Sequence, residues 1–93
     1  MTTTLTTTQF KLGQIVITAN AASQLSVSEI LIGILRHASC DWGDICPDDA
    51  AQNDEAVATG DRILSSYGTD DRTYWIITEA DRSVTTLLMP EDY

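Results

Sequence analysis

The chain has 93 residues, the length of one small domain, and 43% of them are hydrophobic, so an ordinary core forms without a metal or a disulfide framework. Fourteen acidic residues against five basic ones give a formal net charge of −9. That balance argues against direct contact with nucleic-acid phosphates or an anionic membrane surface, and favours a basic protein as partner.

Met1 to Gln9 is Thr-rich, with no early Lys or Arg and no apolar centre. It predicts a flexible tail over residues 1–9, not a secretory leader, with the folded domain spanning residues 10–93. No apolar run reaches the roughly 18 residues of a membrane span. Two cysteines, Cys40 and Cys46, suit a reducing cytoplasm.

Phe10 to Thr18 is rich in β-branched and aromatic residues and predicts a strand, with Gly13 a candidate bulge and Asn20 to Gln24 a break after it. Ser26 and Glu29 have the spacing of a capping box, and Val27, Ile30, Leu31, Ile34, Leu35 and Ala38 follow at helical intervals, so a helix is expected over Val27–Ala38. Arg36 and His37 fall in its last turn, where positive charge suits the helix dipole.

The segment Cys40 to Cys46 reverses the chain, with Trp42 and Ile45 turned back onto the core. Pro47, followed by Asp48 and Asp49, opens a second helix that stops before Gly60. Its thin apolar face, Ala50, Val57 and Ala58, places it near the surface. Arg62–Tyr67, Thr73–Thr78 and Val84–Met89 alternate as strands joined by two five-residue loops of hairpin length. The order β-α-α-β-β-β predicts the α+β class: a small antiparallel sheet of about four strands with two helices on one face.

Candidate chemistry is sparse. His37, Cys40 and Cys46, with Asp41 and Asp44 between them, lack the paired spacing of a zinc site, so no metal and no cofactor is expected, and a Cys40–Cys46 disulfide is not favoured either. Nucleophile elbow, phosphate-binding loop, zinc-protease helix and dinucleotide fingerprint are all missing from the sequence. Trp42, Tyr67, Tyr74 and Trp75 are assigned to packing rather than to a stacking platform.

Two functional patterns remain. Between Arg36 and Arg62 stand Asp41, Asp44, Asp48, Asp49, Asp54, Glu55 and Asp61 with no base among them, which predicts a negative patch able to meet a cationic surface. The binding candidates are therefore Asp41, Trp42, Asp44, Asp48, Asp49, Asp54 and Glu55, together with Glu79, Asp81 and Arg82 of one hairpin loop. The alternative is a small ligand-binding or enzymatic domain in which His37, Asp41, Glu79, Asp81 and Arg82 converge on a pocket. The chain is expected to be a monomer or a homodimer; in a dimer, Trp75 or another exposed apolar strand face would form the contact.

FKLGQIV from Phe10, RHASCDWGD over Arg36–Asp44, NDEAVATGDRILSSY over Asn53–Tyr67 and WIITEADRSVTTLLMPEDY over Trp75–Tyr93 resemble a family of small uncharacterised proteins, often labelled plasmid-related, carried by bacterial plasmids and other mobile elements. The resemblance implies a genetic context rather than a mechanism. It suggests an accessory protein that blocks a nuclease or another nucleic-acid-binding defence protein. The family's Gly at the place of Cys40 implies that this thiol is not a metal ligand.

Overall fold

The computed structural model describes residues 9–93. The expected tail lies outside the described residues except for Gln9, which is not free: its N–H donates to the carbonyl of Ala38 at 3.0 Å.

A four-stranded sheet organises the chain, with β1 over Gln14–Ile17, β2 over Ile63–Tyr67, β3 over Tyr74–Thr78 and β4 over Val84–Leu88, in the spatial order β1-β4-β3-β2. The α+β class holds. The hairpins β2–β3 and β3–β4 are antiparallel as the short loops require, but β1 runs parallel to β4, so the sheet is mixed. After β1 come the α-helices, and the chain then re-enters at the far edge, where the final hairpin brings β4 alongside β1 in the same direction.

Three α-helices accompany the sheet among the described residues, α1 over Ala19–Gln24, α2 over Val27–Ala38 and α3 over Pro47–Thr59. The first replaces the predicted break. Thr18 caps it by accepting the N–H of Ala21 at 3.1 Å, and Ala21, fully buried, packs with Leu87 and Met89. Six residues make too short a helix to stand alone, so this packing holds it. The strand before it is correspondingly short. Gly13 lies outside β1 at φ +65° and makes no bulge within it.

The α2 boundaries match the capping signals: Glu29 N–H donates to Ser26 Oγ at 3.1 Å and Ser26 N–H to the Glu29 carboxylate at 2.9 Å. Those bonds, with Arg72, hold the Glu29 carboxyl below its ordinary range. α2 lays Ile30 and Ile34 over Tyr67, Tyr74, Ile76 and Leu87. Gly33 lets it approach closely, since any side chain there would meet the Tyr74 ring. A second cluster joins Phe10, Trp42, Ala56 and Ile63 beneath α3.

The two sheet edges are treated differently. Along β2, the side chain of Asn53 donates to the carbonyl of Leu64 at 2.7 Å and accepts its N–H at 3.3 Å, standing in for a neighbouring strand. Beside it, Ser66 N–H donates to the Trp42 carbonyl at 3.0 Å and Asp44 N–H to the Ser66 carbonyl at 2.7 Å. This approach needs Gly43, at φ +77°, because a Cβ would overlap the Ser66 carbonyl oxygen. The β2 edge is thus closed to further pairing. All four residues of β1, at the opposite edge, are exposed.

Candidate functional site

Because the loop after α2 and the helix α3 both dock along β2, the acidic run is gathered on one side of the molecule. Asp44, Asp48, Asp49, Asp54, Glu55 and Asp61 are all exposed there. Among the described residues the ion pairs are Arg36–Asp41 at 2.7 Å, Arg62–Glu79 at 3.5 Å and Arg72–Glu29 at 2.7 Å, so none of those six carboxylates is neutralised by a base. Pro47 at the first turn and Gly60 at φ +86° fix the ends of α3. Asn53 and Ala56 face the fold, and Asp48 and Glu55 point the other way.

Other sequence candidates stand differently. Asp41 is exposed but bound by both Nε and Nη2 of Arg36, which holds its carboxyl below the usual range. Trp42 is 5% exposed and unavailable to a partner; its indole N–H donates to Asp54 at 2.9 Å, orienting that carboxylate from below. Glu79 is engaged with Arg62. Asp81 accepts the N–H and hydroxyl of Ser83 inside its own turn, which lowers its pKa. Arg82 donates to the carbonyls of Ala56 and Asp61, each at 2.7 Å, tying the β3–β4 turn to the end of α3.

His37 occupies the core. It is fully buried, with Nδ1 2.6 Å from Ser65 Oγ and Nε2 2.8 Å from Thr78 Oγ1, and the rings of Phe10 and Trp42 pack edge-on to it. Burial lowers its pKa from 6.5 to about 4. A neutral ring turned to the sheet draws nothing from the helix dipole, so burial and hydrogen bonding, not favourable charge at a helix end, explain its place in the last turn of α2.

The five residues of the enzymatic alternative line neither of the two clefts beside α3. Two open clefts flank α3, one lined by Ile45, Asp49, Gln52, Asn53, Arg62 and Leu64, the other by Gln52, Glu55, Ala56, Asp61 and Arg62. Neither includes His37, Asp41, Glu79, Asp81 or Arg82. Among the described residues no group of three His, Cys, Asp or Glu side chains is placed to hold a metal ion. Cys40 and Cys46 are free thiols, and burial pushes the Cys40 thiol up. No helix among the described residues is long and apolar enough to cross a membrane.

Arg62 and Asn53 were absent from the sequence candidates, yet both border the acidic side. Asn53 carried no signal, because an Asn on a helix reveals its role only when an unpaired strand edge lies opposite. Fold and site together define a small α+β domain with a mixed four-stranded sheet and an acidic side built on the β2 edge. Comparison with protein-family models, with curated proteins and with solved structures returns no match.

Proposed function

We propose that this chain is a non-enzymatic cytoplasmic binding protein whose acidic side occupies the basic, nucleic-acid-binding surface of another protein and inhibits it. The observation that carries the reading is the arrangement along β2: Asp44 on the loop before α3, Asp48, Asp49, Asp54 and Glu55 on α3, and Asp61 in the turn after it are exposed and have no base paired to them among the described residues. Such a field speeds encounter with a cationic surface and fails in salt. In the genetic context of a mobile element, a host nuclease or another DNA-binding defence protein is the partner with the right charge.

Capture from the native host on the immobilised full chain, at low and high salt, tests this. A nucleic-acid-binding protein retained at low salt and released at high salt is expected, and the triple variant Asp48→Lys, Asp49→Lys, Glu55→Lys loses it. Capture that is indifferent to both salt and charge reversal refutes the reading.

A further inference from the structure

The second helix is apolar on more than the side it buries. Ile30, Gly33, Ile34, His37 and Ala38 face the sheet, yet Val27 is 73% exposed, Leu31 55%, Ile32 56% and Leu35 49%. Helices that are hydrophobic nearly all round belong in interiors. The charged groups of α2, Glu29 and Arg36, lie on the flank toward β2, where Glu29 bonds Arg72 and Arg36 stacks over the ring of Tyr67. The flank carrying Leu31 and Leu35 therefore faces the β1 side.

On that side of the sheet stand Ile15 and Ile17, which share the helix-covered face with Thr85 and Leu87 and are 43% and 36% exposed. The edge beside them is open. Gln14 N–H donates to Ser83 and Thr18 N–H to Leu87, so alternation turns the N–H and C=O groups of Ile15 and Ile17 away from β4. Unlike β2, which Asn53 and the Trp42–Asp44 loop close off, β1 retains a row of backbone groups with no partner among the described residues, flanked by apolar side chains.

Charge selects the occupant. Residues 1–28 contain no acid at all, and every one of the 14 carboxylates lies from Glu29 onward. A chain of net charge −9 repels its own copies over most of its surface; β1 and the exposed flank of α2 carry no carboxylate themselves, and Glu91 and Asp92, which reach the end of the strand, are bound there by Asn20 and Thr18. The segment 1–8 offers only Met1 and Leu5 as large apolar side chains, too few to cover Ile15, Ile17, Val27, Leu31, Ile32 and Leu35.

We infer that this face binds a second copy of the chain. The two β1 strands pair antiparallel across a twofold axis, and Leu31 and Leu35 of each α2 pack against the other. The sheet becomes continuous through both subunits, and the two acidic sides remain at its outer ends, free for partners.

Sedimentation velocity of the full chain across a roughly hundredfold dilution tests this. A dimer that persists at high salt is expected. Leu31→Glu, Leu35→Glu and Ile15→Glu, all at exposed positions, each raise its dissociation constant at least tenfold, whereas Glu55→Gln leaves it unchanged. Circular dichroism confirms that each variant folds. The amides of Ile15 and Ile17 gain hydrogen-exchange protection as concentration rises. A monomer at every concentration overturns the inference, as does a dimer indifferent to the Glu substitutions or lacking concentration-dependent protection at Ile15 and Ile17.

Discussion

The hydroxyl of Thr85 donates to the carbonyl oxygen of Leu12 at 2.6 Å, and this bond sets the direction of a proton chain through the core. A hydroxyl has one proton, so at the 2.7 Å contact between Thr78 and Thr85 it is Thr78 that donates. Thr78 then accepts from His37 Nε2–H, leaving Nδ1 to accept from Ser65. The ring is thereby fixed as the neutral Nε2–H tautomer, and the chain links α2, three strand positions and the segment before β1 through buried groups.

Neutral His37 makes stability depend on pH. Its pKa is near 6.5 unfolded and about 4 folded, so between those values the unfolded chain binds the extra proton. Stability is full above pH 6.5, falls as pH drops toward 4 and levels off below it, a loss of about 3 kcal/mol from this group. Urea unfolding at a series of pH values should show that slope, and His37→Leu should flatten it while lowering stability at pH 7 by about 1–3 kcal/mol through the stranded Ser65 and Thr78 hydroxyls.

Asn53→Ala should cost about 1–3 kcal/mol, because Leu64 loses partners for both its N–H and its C=O at a partly buried edge. Exposing that edge should also promote association of a kind the native chain does not show. Denaturant unfolding measures the first effect and light scattering during refolding the second.

Gly33 and Gly60 offer a paired test. In a free helix Gly→Ala gains about 1 kcal/mol, but an Ala Cβ at position 33 would lie 2.8 Å from the Tyr74 ring, which is held by its hydroxyl bond to the Glu29 carbonyl. Gly33→Ala should therefore lose about 1–2 kcal/mol net. At Gly60 the added methyl meets nothing, and only the positive φ costs, about 1 kcal/mol. The two midpoint shifts in urea, read with near-ultraviolet circular dichroism of Tyr74, distinguish packing from backbone strain.

Arg82 holds an uncommon φ of +60° and spreads its guanidinium over the carbonyls of Ala56 and Asp61, above the Phe10 ring. Lysine cannot reproduce that fork. Arg82→Lys should lower stability by about 1–2 kcal/mol, measurable as a shift in urea midpoint, and should loosen the end of α3, seen as faster exchange of the Gly60 amide that bonds Ala56.

The local features were legible because their causes are local. The Ser26–Glu29 box, Pro47 and Gly60 at the ends of α3, and the two short hairpin loops, of which the first is one residue longer than expected because β3 begins at Tyr74, each depend on atoms a few positions apart, so residue order alone specified them. The acidic run was legible in the same way, as composition. Which of its members stay free was not: Asp41 is claimed by Arg36, Asp54 is held by Trp42, and Glu79, outside the run, is claimed by Arg62.

What the chain's order left open was every choice between distant partners. Ala19–Gln24 is a poor helix in isolation and became one because Ala21 is buried against Leu87. Gln14–Ile17 could have joined either edge of the hairpin sheet; Asn53 and the Trp42–Asp44 loop occupy the β2 edge, so it pairs parallel with β4. His37, a plausible surface residue in its helix, is buried because Ser65 and Thr78 meet both of its nitrogens. Such outcomes turn on which buried polar groups find partners once remote segments meet, and that is decided by the closed three-dimensional arrangement rather than by spacing along the chain.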